Sequence, residues 1–418
     1  MASSQTLNLT QFDSALKTFY TDAKVKSIVL EDNPFLALLP KMTKFVGRNM
    51  PIPVVIGNPM GVSDTFVTAQ LYAAASESRA FTITRAHGYG VATIDNETME
   101  ASASDKGAWF AARESEISGI LRSVARSVER KLFSDGTSAL GTVVFTTATD
   151  TYFTLSDPND IVNFELNQKL VFGTTAAGTT LRATAGYVVA VDYDGGKVYL
   201  SATLGGTATD IDSFIASFAT GDTAFVEGTS ASVTANVRFQ GLRAWIPDST
   251  PSATTFNGLD RTVSPTGLAG IRFDASALSI EEGLQKAAHK AKQFGASPTH
   301  VLMNPVPYGD LLISLGSKVV LDIAKSKDAE IGFEAIVIHT PVGKLKVISD
   351  ACCPSTRAFM IKLDSWKLYS MGEVPKILDT DGNRVLRQAT SDGVEVRCGF
   401  YGQLACNQPG ANVNIKLA

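Results

Sequence analysis

The chain has 418 residues, of which 44% are hydrophobic, 8% aromatic and 19% charged, and 37 basic against 41 acidic side chains leave a net charge of −4. That balance excludes a polybasic nucleic-acid binder, and it excludes intrinsic disorder, which needs low hydrophobicity and high net charge. Apolar runs such as Phe35–Leu39 fall far short of the ~20 residues that cross a bilayer, so no membrane partner is expected; the length suggests two or three domains in a soluble protein.

Residues 1–6 have neither the basic start nor the apolar stretch of a secretory signal. Residues 10–29 place Phe12, Leu16, Phe19, Tyr20 and Ala23 at helical spacing, predicting a short amphipathic helix that stops before Asn33-Pro34. Its polar side sets Lys17, Lys24 and Lys26 against Asp13 and Asp22, which suits a neighbouring protein surface better than a membrane.

From Phe45 to about Ser104 the pattern is extended. Residues 51–57 form an apolar strand whose Pro51 and Pro53 belong at an edge, and residues 81–85 and 90–94 alternate with period two. This predicts a hairpin-like arm with too few large side chains to build its own core, stable only when something else covers it.

The strongest local signal follows. Ser104 opens a helix predicted to run to Phe133, with Trp109, Ala112, Ile117, Ile120, Leu121, Val124, Val128 and Leu132 in one stripe and Asp135-Gly136 ending it. At 1.5 Å per residue, roughly 29 residues make a helix of about 43 Å. The opposite face, with Arg113, Glu114, Arg122, Arg126, Glu129 and Arg130, is expected to be solvated or to meet a polyanion.

Residues 141–235 alternate short strands with turn clusters, and Asp194-Gly195-Gly196 marks a tight hairpin. Even spacing of short strands predicts a small barrel or sandwich. Residues 134–240 hold 4 basic and 11 acidic side chains, net −7, which leaves +3 for the rest of the chain and marks an inserted module. Beyond it, Ser279-Ile280-Glu281-Glu282 is a capping box opening a helix that stops at Gly295. A strand at 299–303 precedes a helix beginning at Pro305, and strands are predicted at 335–339, 345–349, 358–363, 394–398 and 413–417. The fold class is α+β.

Catalytic tokens are missing. The four histidines, His87, His289, His300 and His339, are scattered, and there is no His-x-x-x-His, Gly-x-Ser-x-Gly or phosphate-cradling Gly-x-x-x-x-Gly-Lys-Ser/Thr pattern. Residues 379–383 begin like a calcium loop, but Arg384 stands where the sharp turn needs glycine and Thr390 where a bidentate glutamate is required. Cys352, Cys353, Cys398 and Cys406 fit no metal-finger spacing and read as reduced core side chains. No catalytic, cofactor-binding or metal-ligating residues are assigned, no cofactor is expected, and the chain is read as a non-enzyme.

The order of these parts resembles the major capsid proteins of tailed bacteriophages with the Hong Kong 97-type fold. The resemblance lies in residues 33–41 and 51–54, similar to the beginning of that family's E-loop, and in the helix at 104–133, similar to its spine helix. Residues 298–305 with Tyr308 are similar to its A-domain strand and helix, and residues 402–409 with 412–415 to its terminal P-domain strands. It divides the chain into an N-terminal arm (1–44), E-loop hairpin (45–103), P-domain spine helix (104–140), inserted acidic β-rich domain (141–235), P-domain return (236–275), A-domain (276–355) and closing strands (356–418).

The resemblance implies a shell subunit that assembles in the host bacterial cytoplasm into hexamers and pentamers of an icosahedral head around double-stranded DNA. Implied partners are copies of itself, a separate scaffolding protein, a portal and decoration proteins, with DNA contacted non-specifically. Some relatives join subunits through an E-loop lysine; residues 49–105 contain no lysine, so no such covalent link is expected. The alternatives are an encapsulin-like compartment shell and, from another class, a phage tail, baseplate or adhesion protein.

Overall fold

The computed structural model of the chain describes residues 33–95, 106–145, 150–232, 238–252, 254–315, 336–379, 386–387 and 393–418. The helix expected at 10–29, the Ser104 cap and the calcium-like stretch after Asp379 lie outside the described residues.

In chain order, the first elements are helix α1 (Pro34–Leu38), strands β1 (Lys41–Met42) and β2 (Asn49–Gly57), helix α2 (Phe66–Leu71), strands β3 (Glu77–Thr84) and β4 (Ala86–Asp95), and the long helix α3 (Lys106–Phe133). A second group follows with β5 (Gly141–Val144), β6 (Tyr152–Leu155), β7 (Lys169–Gly173), β8 (Gly186–Asp192), β9 (Lys197–Ser201) and β10 (Thr223–Val226). Next come α4 (Leu242–Trp245), α5 (Pro265–Ala269), β11 (Ile271–Asp274), α6 (Ile280–Gln293), β12 (His300–Met303) and α7 (Pro305–Leu315). The chain closes with β13 (Ile336–Thr340), β14 (Gly343–Ser349), β15 (Arg357–Ile361), β16 (Trp366–Ser370), β17 (Lys376–Ile377), β18 (Leu386–Arg387), β19 (Gly393–Cys406) and β20 (Val413–Lys416).

Among the described residues the buried apolar side chains gather into three hydrophobic cores. In the first, α3 lays Ile117, Leu121, Val124, Ala125, Val128 and Leu132 on a sheet organised by β19. β19 pairs along one edge with β4, from Gly393↔Asp95 to Gly402↔Ala86, and with β16, β17 and β18 in succession on the other. β4 is therefore part of the body and not of a free arm. Glycines permit this: a Cβ at Gly88 would sit 2.5 Å from the Phe400 ring and one at Gly90 2.6 Å from Val124 of α3. β19 is far longer than the stretch 394–398 expected for it, because Gly399 and Gly402 are sites of close backbone approach and not strand ends.

The second core lies under a six-stranded sheet in the order β11-β20-β15-β12-β14-β13, covered by Leu284, Ala287, Ala288 and Ala291 of α6. Ser279 caps α6, its hydroxyl accepting the Glu282 N–H at 3.4 Å, and Gly295 at φ +75° ends it, as the capping box and glycine stop predict. Buried Asn304 starts α7 by accepting the Val306 N–H at 3.0 Å while donating to the Cys353 carbonyl at 2.8 Å. Asn412 and Asn414 tie the sheets together: Asn412 Oδ1 accepts from Trp366 Nε1 at 2.9 Å, and Asn414 Nδ2 donates to the Ile246 carbonyl at 2.9 Å.

The third core belongs to a closed barrel in the order β10-β5-β6-β9-β8-β7, filled by Phe153, Phe164, Phe172 and Phe218 with ring centroids 4.8 to 6.0 Å apart. It coincides with the acidic module read from the turn clusters, and Gly196 at φ +63° makes the β8–β9 turn.

Candidate assembly interface

β2 and β3 form a two-stranded hairpin with β2 and β3 paired from Asn49↔Thr84 outward. Its inner half is built into the body. Phe81 is fully buried and stacks edge-on against Trp245 at 5.0 Å and Phe256 at 6.2 Å, while Trp245 Nε1 donates to the Leu404 carbonyl at 3.2 Å. Thr82 N–H donates to the Asn257 carbonyl at 2.8 Å, and the Thr84 carbonyl accepts from Gln403 Nε2 at 3.3 Å.

The outer half is bare. Val55, Met60, Val62, Phe66, Val67, Leu71 and Tyr72 are exposed, Val62 at 94% and Phe66 at 80%, and α2 buries none of its residues. Single exposed apolar side chains are ordinary, but a contiguous run on a projecting element marks a surface that something else covers. The expectation of an arm unable to bury itself holds for this half of the hairpin.

The segment entering the hairpin is anchored by a residue that was expected to face solvent. Glu129 of α3 is fully buried, with Oε1 accepting the Phe35 N–H at 3.0 Å and Oε2 the Leu36 N–H at 3.0 Å. Asn33, the residue before α1, makes no side-chain cap, so Glu129 satisfies the unpaired N–H groups of the first turn from across the core. Burial pushes the Glu129 carboxyl well above the usual range, and buried Asp350 beside it raises it further; Asp350 is itself pushed up by burial. Two buried carboxyls in one site cannot both ionise, so the pair holds a proton.

The rest of the polar face of α3 meets the barrel. Arg126 Nη2 donates to the Val162 carbonyl at 2.5 Å and Arg130 to the Asn163 carbonyl, with Glu165 beside both guanidinium groups. Only exposed Arg122 fits the expected solvated face among the charged side chains described; those of Arg113 and Glu114 lie outside the described residues. The junction also holds Ser355, whose hydroxyl donates to Asp157 Oδ2 at 2.5 Å.

A cleft of about 1090 Å³ runs between barrel and body. In it, burial and then Asp157 push the Asp160 carboxyl up to about 7, against the opposing pull of Arg243. Between the ordinary 3.8 and about 7 the folded chain thus holds a proton that the unfolded chain has released, so its stability from this group falls as pH rises through that window. Asp160→Asn is expected to flatten the decline; equal slopes of melting temperature for variant and parent between pH 3.8 and about 7 would contradict this.

Among the described residues no three His, Cys, Asp or Glu side chains gather as a metal-binding group. The histidines are not brought together: His87 stacks on Tyr89 at 5.4 Å on β4, His300 shares a 2.8 Å hydrogen bond with Thr299, and His289 and His339 lie on α6 and β13. All four cysteines are free thiols; burial pushes Cys398 up to about 11 and Cys406 to about 12, so neither supplies thiolate at neutral pH. No described helix is long and apolar enough to cross a membrane.

Residues 216–391 match the family model of the SU10 major capsid protein. No curated protein matches the chain. Among solved structures, the cyanophage A-1(L) capsid asymmetric unit is similar at TM-score 0.50 and 11% identity, covering 94% of this chain and 92% of its own. The satellite phage P4 procapsid, solved with its size-determination protein, follows at TM-score 0.41 and 10% identity, covering 98% and 96%. The capsid of a native GTA particle scores 0.42 at 10% identity, covering 93% and 90%. Of these three the cyanophage likeness is the one that bears on the fold, and it spans the α+β body from end to end. Residues 216–391 are thus similar to the SU10 major capsid protein, and the α+β fold of the chain is similar to that of the cyanophage A-1(L) capsid chain.

Proposed function

We propose that the protein self-assembles into the hexamers and pentamers of an icosahedral head that encloses double-stranded DNA. The observation that carries this is the outer half of the β2–β3 hairpin, whose apolar side chains the described part of its own chain leaves uncovered. In this reading the hairpin is the E-loop, α3 the spine helix of the P-domain, and the sheet of β11–β15 and β20 with α6 and α7 the A-domain. Ring closure needs heterologous contacts, in which one patch meets a different patch on the next copy, and a projecting hairpin laid on a neighbour supplies one.

The acidic barrel is assigned to the outer surface, because a module of net −7 facing packaged phosphate would be repelled, while the weakly basic remainder suits an inner wall that lets DNA move. Scaffolding, portal and decoration proteins are the expected partners, and assembly takes place in the host cytoplasm. With no lysine at 49–105, the shell is held non-covalently at the hairpin.

Negative-stain microscopy of the expressed protein tests this directly: closed shells or tubes support it, and a monodisperse monomer overturns it. Combined Phe66→Ser, Val67→Ser and Leu71→Ser is expected to leave the fold intact, since none of the three is buried. Each such side chain is worth about 1.5–3 kcal/mol when buried against a neighbour, so subunit association should weaken by about three orders of magnitude or more. Shells forming at parental concentration from the triple variant would remove the hairpin from the interface.

A further inference from the structure

The turn that carries the Asn257 carbonyl holds the one Asn-Gly step in the sequence. Asn257 stands at φ +50° and Gly258 at φ +79°, the left-handed pair of a two-residue turn. Phe256 and Leu259 close it by exchanging both backbone bonds, at 2.9 and 3.0 Å. Such a turn leaves the second central N–H without a partner inside it. No described residue accepts the Gly258 N–H, and Gly258 is exposed with no side chain to shield its nitrogen. The Asn257 side chain is half-buried, and its Nδ2 donates to Gln240 Oε1 at 2.6 Å. The Gln240 N–H in turn donates to Gln403 Oε1 at 2.8 Å, and Gln403 Nε2 to the Thr84 and Arg238 carbonyls. Asn257 thus enters one network twice: its main chain holds Thr82 and its side-chain amide holds Gln240.

We propose that Asn257-Gly258 is a self-modification site, where the Asn257 side-chain amide is hydrolysed through a cyclic imide formed with the Gly258 nitrogen. Water is the co-reactant. Hydroxide takes the Gly258 amide proton, the nitrogen electron pair forms a bond to Asn257 Cγ, and the Cγ–Nδ2 bond breaks. Nδ2 leaves as ammonia with a proton from water, which regenerates the hydroxide; nothing is oxidised or reduced. Water then opens the ring at either carbonyl. Cleavage on the Cγ side leaves aspartate, and cleavage on the main-chain side leaves isoaspartate, whose backbone runs through Cβ and Cγ. Either product has lost the donor that Gln240 accepts. Isoaspartate also takes the carbonyl that holds Thr82 out of the main chain and lengthens the turn by one atom. Other asparagines lack the combination. Asn167 is left-handed at φ +63°, but the N–H of Gln168 after it donates to the Glu165 carbonyl. Asn33, Asn58 and Asn304 precede prolines, which have no N–H to attack with.

Peptide mapping by mass spectrometry, on unassembled subunits held for days at mildly alkaline pH, tests the site. Residue 257 should gain the mass that replaces NH2 by OH, and faster at higher pH, because the attacking nitrogen must first lose its proton. Part of the product should be a substrate for isoaspartyl methyltransferase, and Asn167 should stay intact. Asn257→Gln keeps an amide donor but closes only a larger ring, so its residue 257 should show no gain. Hydrogen exchange on the aged protein should find Thr82 about tenfold faster, as loss of one backbone hydrogen bond requires. An Asn257 that keeps its amide through the incubation would overturn the site, as would conversion of Asn167 at the same rate. Conversion that leaves Thr82 exchange unchanged would overturn the link to the root of the hairpin.

Discussion

Glu129→Leu is expected to cost the folded subunit about 2–5 kcal/mol, because it leaves two buried backbone N–H groups without an acceptor. The side chain that replaces the carboxylate fits the apolar surroundings of Phe35, Leu36 and Phe133, so the loss measures the cap and not a cavity. Glu129→Gln should cost much less, since its amide oxygen still accepts one of the two N–H groups. The two variants also separate in pH dependence. In the parent, the proton shared by Glu129 and Asp350 is held above the usual carboxylate range, so the stability tied to it is full at lower pH and drains as pH rises through the folded-state value. Glutamine removes one ionising group and the repulsion with it, so its alkaline decline should be shallower than the parent's. Chemical denaturation of unassembled subunits at rising pH, starting from the ordinary carboxyl value of 4.5, reads both effects; a leucine variant as stable as the parent would show that α1 does not need the carboxylate.

That residue also shows where the sequence was legible and where it was not. Period-two alternation and turn clusters are local, and they located the barrel strands, the hairpin and most strands of the second sheet. The apolar stripe placed α3 to its last residue. Glu129 was assigned outward by its charge alone, although Ala125, Leu132 and Phe133, three or four residues away on the same helix, are all buried, and that spacing was the available signal. Asp350 and the N–H groups of α1 that complete the site come from segments 93 or more positions distant, and no local pattern encodes that meeting. The short strands β1, β16, β17 and β18 were likewise unread, because each is defined by its partner on β19 or β16 and not by its own period. The exposed outer hairpin was legible for the opposite reason: a segment too poor in large side chains to cover itself is a statement about composition, and composition needs no fold.

Glycines are the residues most easily misread, and Gly241 gives the sharpest test. It lies at the start of α4, where a Cβ would stand 2.3 Å from the Lys131 carbonyl oxygen and 2.5 Å from that of Leu132, at the last turn of α3. Both are backbone atoms of a packed helix, so nothing at the contact can rotate away. Gly241→Ala must therefore shift α4 as a unit, and α4 carries Trp245, which is fully buried, donates to Leu404 and packs on Phe81 at the root of the hairpin. Overpacking of this kind costs about 1–3 kcal/mol where side chains can adjust and more where backbone must move, so a loss of about 3 kcal/mol or more is expected. Gly119, on the exposed face of α3 with nothing within 4 Å of an added Cβ, is the matched control. There alanine should stabilise the subunit by about 1 kcal/mol through helix propensity. Opposite signs for the same substitution separate close approach from mere flexibility, and equal shifts in the two melting curves would refute the packing of α4 on the end of α3. Because the hairpin root moves with Trp245, Gly241→Ala should also lower shell yield beyond its effect on the subunit, while Gly119→Ala should not.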